Sequence, residues 1–364
     1  MVEHVTVYRQ EGRYAGWPAN YGIWSWDDEI VVGFTLGYHQ SDAGFHTRDR
    51  SRPFVTMQAR SLDGGKTWSV QNMPCQTPGD RGLSADEHVQ KSLEIGQSSE
   101  LNQELNICNG DINFSHPDFA LMCARTGVAG GAVSWFYTSI DRCHTWAGPY
   151  RLPMFGFRGI AARTDYLVTN QDTCSLFLTA AKSDDKEGRV FCARTSDGGK
   201  SFHLLSEIGE EPAGFEIMPA SIRLSESRIL VAVRTREENE NWEEARNYID
   251  LYVSEDDGHN WQYLDRPVQD TGVGGNPPTM TKLRDGRLCI TYGYRDAPYS
   301  LLAKISDDDG ITWSTEIVLR DDGGSHDIGY PRTIQRTDGS IVIVYYFADE
   351  PDGPRYIAST IWRA

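Results

Sequence analysis

The chain has 364 residues, of which 39% are hydrophobic, enough to bury a large core. Its formal charge is −17, with 52 acidic against 35 basic residues, which excludes nucleic acid and anionic membrane surfaces as partners, since both need an electropositive footprint. Seven cysteines without CxxC spacing read as buried thiols, no charged-then-apolar leader opens the chain, and no apolar run approaches a membrane span, so a reduced, cytoplasmic protein is expected.

In chain order, residues 5–8 form a short strand with no local hairpin partner. Strands follow near 20–26, 29–36 and 54–60, and the long loop at 37–53 carries His39, His46, Arg48, Asp49 and Arg50. Long loops on rigid scaffolds concentrate function. Ser61-Leu62-Asp63-Gly64-Gly65-Lys66-Thr67-Trp68 then closes this group of strands, and it returns four times: SIDRCHTW at 139–146, TSDGGKSF at 195–202, SEDDGHNW at 254–261 and SDDDGITW at 306–313. The third-position acids Asp63, Asp141, Asp197, Asp256 and Asp308 are 78, 56, 59 and 52 residues apart. Self-similarity at a near-fixed period marks a repeat architecture. Each copy makes sense as a hairpin tip, in which the Asp accepts from nearby amides, a Gly supplies positive φ and the aromatic packs inward.

Residues 76–105 are polar and poor in β-branched side chains, with helical character at 101–105; read as an insertion, they account for the one long step. Strands are then expected at 119–124 and 132–139; at 159–168, 175–181 and 189–195; and at 217–224, 229–234 and 248–254, around an acidic loop at 237–247. The last two groups fall at 280–283, 288–294 and 300–306, and at 332–335, 341–346 and 356–362, where no fifth repeat of the tip follows. Arg284-Asp285-Gly286 and Thr337-Asp338-Gly339 are hairpin turns. The pattern predicts an all-β chain, one domain over residues 1–364, folded as a six-bladed β-propeller whose ring is closed by the N-terminal strand.

With these tips in place the chain resembles the sialidase superfamily of Asp-box propellers over essentially its whole length. The box is specific for the fold and weaker for activity, because function lives in the pocket. In Gly329-Tyr330-Pro331-Arg332, Tyr330 occupies the place of the sialidase nucleophile. A neutral phenol suits an anomeric carbon that bears a carboxylate, which would repel an anionic attacking group, and sialidases depart from the two-carboxylate glycosidase pattern. The resemblance implies Glu216 as the base for Tyr330, Arg234 and Arg295 as members of the carboxylate-gripping arginine triad, and Asp49 as the general acid, with His46 and His39 as the alternatives for the proton. The first triad position falls on Gly16, two residues before Pro18, so Arg332 or Arg163 from another blade would complete the grip. Guanidinium forks match a carboxylate.

The resulting expectation is an exo-acting glycoside hydrolase that removes a terminal acidic sugar from a glycan, with no metal or other cofactor. Two other readings fit the same residues. One is a lyase or glycosidase acting on rhamnose–glucuronate linkages, with His39, His46 and Tyr330 as proton-transfer groups and arginine stabilising the enolate. The other is a propeller that binds an acidic sugar without turnover.

Overall fold

The computed structural model describes residues 2–41, 43–79, 81–90, 92–94, 97–98 and 105–364, so the helical character expected at 101–105 falls almost wholly outside the described residues. Strand β1 (Glu3–Tyr8) leaves its sequence neighbours and pairs antiparallel with the last strand of the chain. The first blade is β2 (Arg13–Gly16), β3 (Ile23–Trp26), β4 (Glu29–Tyr38), β5 (Val55–Ser61) and β6 (Ser69–Asn72). Here the innermost strand is broken: β2 pairs with the end of β4 and β3 with its beginning. Residues 17–22 turn between them at the centre of the ring, so the single strand expected at 20–26 starts only at Ile23.

The second blade has three strands, β7 (Ala120–Arg125), β8 (Ser134–Ser139) and β9 (Ala147–Arg151). The third is β10 (Tyr166–Val168), β11 (Cys174–Ala181), β12 (Glu187–Thr195) and β13 (His203–Glu207). The fourth is β14 (Phe215–Arg223), β15 (Ile229–Arg236), β16 (Asn247–Ser254) and β17 (Gln262–Val268). The fifth is β18 (Thr279–Lys282), β19 (Leu288–Tyr294), β20 (Ser300–Ser306) and β21 (Ile317–Arg320). The sixth, β22 (Gly329–Gln335), β23 (Ile341–Phe347) and β24 (Tyr356–Trp362), receives β1 as its outer strand. The six-bladed propeller and its closure by the N-terminal strand are therefore as the sequence predicts. The N-terminal strand thereby covers the edge that β24 would otherwise present.

Six apolar clusters fill the six interfaces between neighbouring blades; one joins Tyr14, Val32 and Phe34 of the first blade to Val342, Val344 and Tyr346 of the sixth. Second and third strands of the blades are almost wholly buried because sheet covers both faces, and they read as continuous apolar runs such as Ile229–Val233.

All five boxes close on one hydrogen-bond pattern. Asp63 Oδ1 accepts from the amide of Thr67 at 2.9 Å and its Oδ2 from the Thr67 hydroxyl at 2.7 Å, while Ser61 Oγ accepts from the amide of Gly65 at 2.8 Å. These bonds hold Asp63, like Asp197 and Asp256, down to about 2. The boxes are tips on the outside of the ring. All seven cysteines are free thiols, and six are buried.

Candidate active site

The strand next to the innermost in each blade, which is β7 in the second blade where no regular inner strand forms, ends at a common mouth, and what stands at its end decides the character of the centre. In the second, fourth and fifth blades that residue is arginine: Arg125 ends β7, Arg234 lies near the end of β15, and Arg295 follows β19. On a strand, alternate residues share a face, so Arg236 joins Arg234. These four arginines, with Arg48 and Arg163, line a central cavity of about 300 Å³, at the small end of the range for small-molecule sites.

Tyr330 stands in this cavity. Its backbone is held in the left-handed region, φ 50°, at a bulge that opens β22. Asn276 enforces this conformation: its Oδ1 accepts from the Tyr330 amide at 2.9 Å, and its Nδ2 donates to the Ile328 carbonyl at 2.8 Å. Gly329 is required beside it, because a Cβ there would meet the Asn276 amide at 2.4 Å. Trp17 and Met218, at φ 57° and 55°, carry the same conformation around the centre. Such strain in non-glycine residues clusters at functional sites.

The phenol oxygen of Tyr330 accepts from Arg234 Nη1 at 3.0 Å, and the Arg295 guanidinium lies 5.4 Å from the ring centroid. Burial raises the phenol, but Arg234, Arg295 and Arg163 outweigh it and bring Tyr330 below its ordinary value. Tyr330, Arg234, Arg295 and Arg163 thus line one cavity.

His46 is the fifth residue to arrive. Its Nδ1 meets Asp327 Oδ1 at 2.8 Å, and its ring packs edge-on against Trp17 at 5.3 Å. Burial lowers His46 more than Asp327 raises it, so the neutral ring is favoured, with its Nδ1 proton donated to Asp327 and Nε2 left to exchange protons. Asp327 is fully buried and also accepts from the hydroxyls of Tyr346 at 2.5 Å and Tyr14 at 2.9 Å. Although burial opposes its ionisation, the hydrogen bond from His46 and the charges of Arg355 and Arg295 hold Asp327 far below the usual carboxylate range.

Four expected site residues lie elsewhere. Glu216 does not face Tyr330: Ile217 is the residue opposite Arg234, and Glu216, opposite Thr235, projects from the other face of β14. There its Oε1 accepts from Tyr252 OH at 2.7 Å, its Oε2 has no partner, and burial pushes it up to about 7. Arg332 gives its Nη2 to the main-chain carbonyls of Ala19 at 2.6 Å and Thr164 at 2.5 Å, which ties three blades together below the cavity. Asp49 caps its own turn by accepting from the Ser51 amide at 2.7 Å, and it does not line the cavity. His39 is turned outward to the Asp352 carbonyl at 2.7 Å.

Trp17 occupies the neighbourhood where the first triad arginine is expected, and His88 stacks on it at 5.2 Å. His88 and Glu87 come from the polar stretch 76–105. It is more than a surface insertion, because residues 83–86 exchange main-chain hydrogen bonds with Arg125 and Thr126 and stand in for the missing inner strand of the second blade. Glu87 pairs with Arg48 at 3.0 Å. Two of the unforeseen residues had a readable signal. Leu121-Met122-Cys123-Ala124-Arg125 repeats the apolar-strand-then-arginine pattern of Ala232-Val233-Arg234, and Arg236 follows at a two-residue step. Asp327, in a loop, and Glu87 and His88, in a single 3-10 turn at Asp86–His88, had none.

The description of a BNR repeat-like domain matches residues 118–343, more than half of the chain. Among curated proteins no sequence matches significantly. Solved structures do. A protein of unknown function from Dyadobacter fermentans DSM 18053 is 21% identical, with a TM-score of 0.68 over 99% of this chain and 98% of that one. Trypanosoma rangeli sialidase in complex with sialic acid is 11% identical, with a TM-score of 0.59 over 99% of this chain and 58% of that one. The α-L-arabinofuranosidase of Fusarium graminearum, in complex with an iminosugar inhibitor, is 11% identical, with a TM-score of 0.58 over 99% and 97%. At such identities the likeness is one of fold, a propeller shared with glycoside hydrolases. The box repeats, the closed six-bladed ring and the matched domain together make this chain a member of the BNR repeat-like family.

Proposed function

We propose that the protein cleaves a glycosidic bond at a terminal acidic sugar, with Tyr330 as the attacking group. One observation carries this reading. Arg234 donates to the phenol, Arg236 lines the same cavity beside it, and among the described residues no carboxylate lies within 4.0 Å of either guanidinium. Gly274 O accepts from both, and burial pushes Arg236 down to about 9, with Arg234 adding to the shift. Arginine does not release its proton in proteins, so the cost is relieved by an anion that enters the cavity. A sugar carboxylate gripped there sets the anomeric carbon beside Tyr330.

In hydrolysis the Tyr330 oxygen bonds to the anomeric carbon as the bond to the leaving oxygen breaks. The phenol proton passes to His46 Nε2 and on to the leaving oxygen. Water then displaces the phenol, giving its hydroxyl to the sugar and its remaining proton to Tyr330. Asp327 keeps the His46 ring in the tautomer this needs.

The neutral state favoured for His46 supports a second reading, eliminative cleavage of a uronate. His46 would take the proton next to the carboxylate, Tyr330 would protonate the leaving oxygen, and the arginines would hold the enolate. One screen tests both. Aryl sialosides, aryl glucuronides and uronate oligosaccharides are incubated with the protein and with Tyr330→Phe, following released aglycone and the ultraviolet absorbance of an unsaturated product. Release without new absorbance supports hydrolysis, new absorbance supports elimination, and turnover undiminished in Tyr330→Phe refutes the assignment of Tyr330. Binding of an acidic sugar with no product would leave a propeller that only binds.

A further inference from the structure

Among the described residues six arginines line the central cavity, and three of them have a carboxylate partner: Arg48 with Glu87 at 3.0 Å, Arg163 with Glu187, and Arg295 with Asp327 at 3.7 Å. Arg234 and Arg236 are accounted for by the sugar carboxylate of the reading above. Arg125 is not. It belongs to the second blade, across the axis of a six-membered ring from Arg295 of the fifth, and it is 4% exposed. Its Nη1 and Nη2 reach only neutral acceptors, Ala162 O and Asn20 Oδ1, both at 3.3 Å. The Asn20 oxygen is shared with Arg163 Nε, also at 3.3 Å, and Arg125 Nε has no partner. Among the described residues no carboxylate lies within 4.0 Å of the Arg125 guanidinium.

Glu187, which acts on Arg125 from beyond contact, is already paired with Arg163, and a carboxylate gripped by Arg234 and Arg236 of the fourth blade leaves Arg125 of the second blade to another anion. A buried charge left without a counter-charge is strongly unfavourable, and arginine cannot escape by losing its proton. The cations are also concentrated in one place on a chain whose formal charge is −17, so the bulk of the protein repels the ligand that the cavity attracts. We infer that the substrate carries a second oxyanion, a sulfate ester or another carboxylate, on the bound sugar or the one next to it, and that Arg125 receives it with Asn20 fixing the guanidinium. This rests on the acidic-sugar reading of the cavity and narrows its substrate class from singly to doubly charged sugars.

The test is calorimetric titration of the full chain, at one ionic strength, with two singly charged probes, glucuronate and N-acetylneuraminate, and two doubly charged ones, glucuronate 2-sulfate and a disaccharide of two uronates. At least one doubly charged probe is expected to bind about 10- to 100-fold more tightly than the singly charged ones, as one buried charge-assisted contact allows. Tight binding of the sulfate places the second anion on the same ring, and tight binding of the diuronate places it on the neighbouring ring. Arg125→Gln should bring that ratio to about one, whereas Arg284→Gln, on an outer hairpin turn, should preserve it. Arg125→Lys, which keeps the charge without the fork, should give an intermediate ratio and replaces the Gln variant if that does not fold. Equal affinity for singly and doubly charged probes, or a ratio that persists in Arg125→Gln, overturns the inference alone. Failure of all four probes to bind the unaltered protein overturns the acidic-sugar reading beneath it.

Discussion

Replacing Glu216 with Gln separates the role its place in the sequence suggests from the role its surroundings impose. The side chain is 6% exposed, on the face of β14 turned away from Tyr330, and burial raises it to about 7. Against an ordinary value near 4.5, that gap at about 1.4 kcal/mol per unit amounts to roughly 3 kcal/mol. The sign follows from which state binds the proton. The folded protein holds it more tightly than the unfolded chain, so this contribution to stability is complete below about pH 4.5 and is lost as pH rises through about 7. Gln cannot ionise, and its amide oxygen can accept from Tyr252 OH as Oε1 does. Urea denaturation should therefore find the two proteins equal within about 1 kcal/mol near pH 4.5, and Glu216→Gln more stable by about 2–3 kcal/mol near pH 8.5. Turnover should stay within about twofold, since general-base catalysis that is lost costs roughly a hundredfold or more. A stability difference that does not change with pH would mean that Glu216 binds its proton no more tightly in the folded protein than in the unfolded chain. A large loss of turnover in a folded Glu216→Gln protein would return it to the chemistry.

Three further outcomes follow from the same geometry. Asp327→Asn leaves Arg295 and Arg355 buried without their shared counter-charge and should cost about 3–5 kcal/mol in denaturant melts; an unchanged midpoint would refute its role as the hub of the centre. If the Tyr330 oxygen must ionise, activity should rise with pH and level off below the ordinary phenol value, because Arg234, Arg295 and Arg163 outweigh burial; Arg234→Gln should move that limb upward, and a limb that stays in place would deny the coupling. Asp197→Ala frees the Ser201 amide and hydroxyl at an outer tip and should lower stability by about 1 kcal/mol without altering turnover, which thermal melts and the substrate screen would check together.

The ring itself was legible because it is written in local code. Each box is a closed set of contacts among eight consecutive residues, and each blade strand is a short apolar run between turn residues. Tyr330 and Arg234 were legible for a related reason, since the blade repeat gives them a fixed place relative to a tip and a turn. Glu216 shows where this stops. A residue two places along a strand keeps its face, and a residue one place along reverses it, so register decided between the cavity and the groove behind it. Register came from pairing with Arg234 and Thr235, which lie 18 and 19 residues further on. Asp327, Glu87 and His88 belong to segments without periodicity, and only packing brought them to the centre.

What the sequence determined alone was the architecture: five tips, six groups of strands and a first strand with no partner but the last blade, all from short-range hydrogen bonding and apolar patterning. What the tertiary structure decided was the electrostatics of the mouth. It fixed which arginines are answered by carboxylates and which are left open, that His46 rather than Asp49 reaches the cavity, and that a polar stretch replaces a strand of the second blade. Charges find their partners through space across blades far apart in the chain, and no local pattern records those distances.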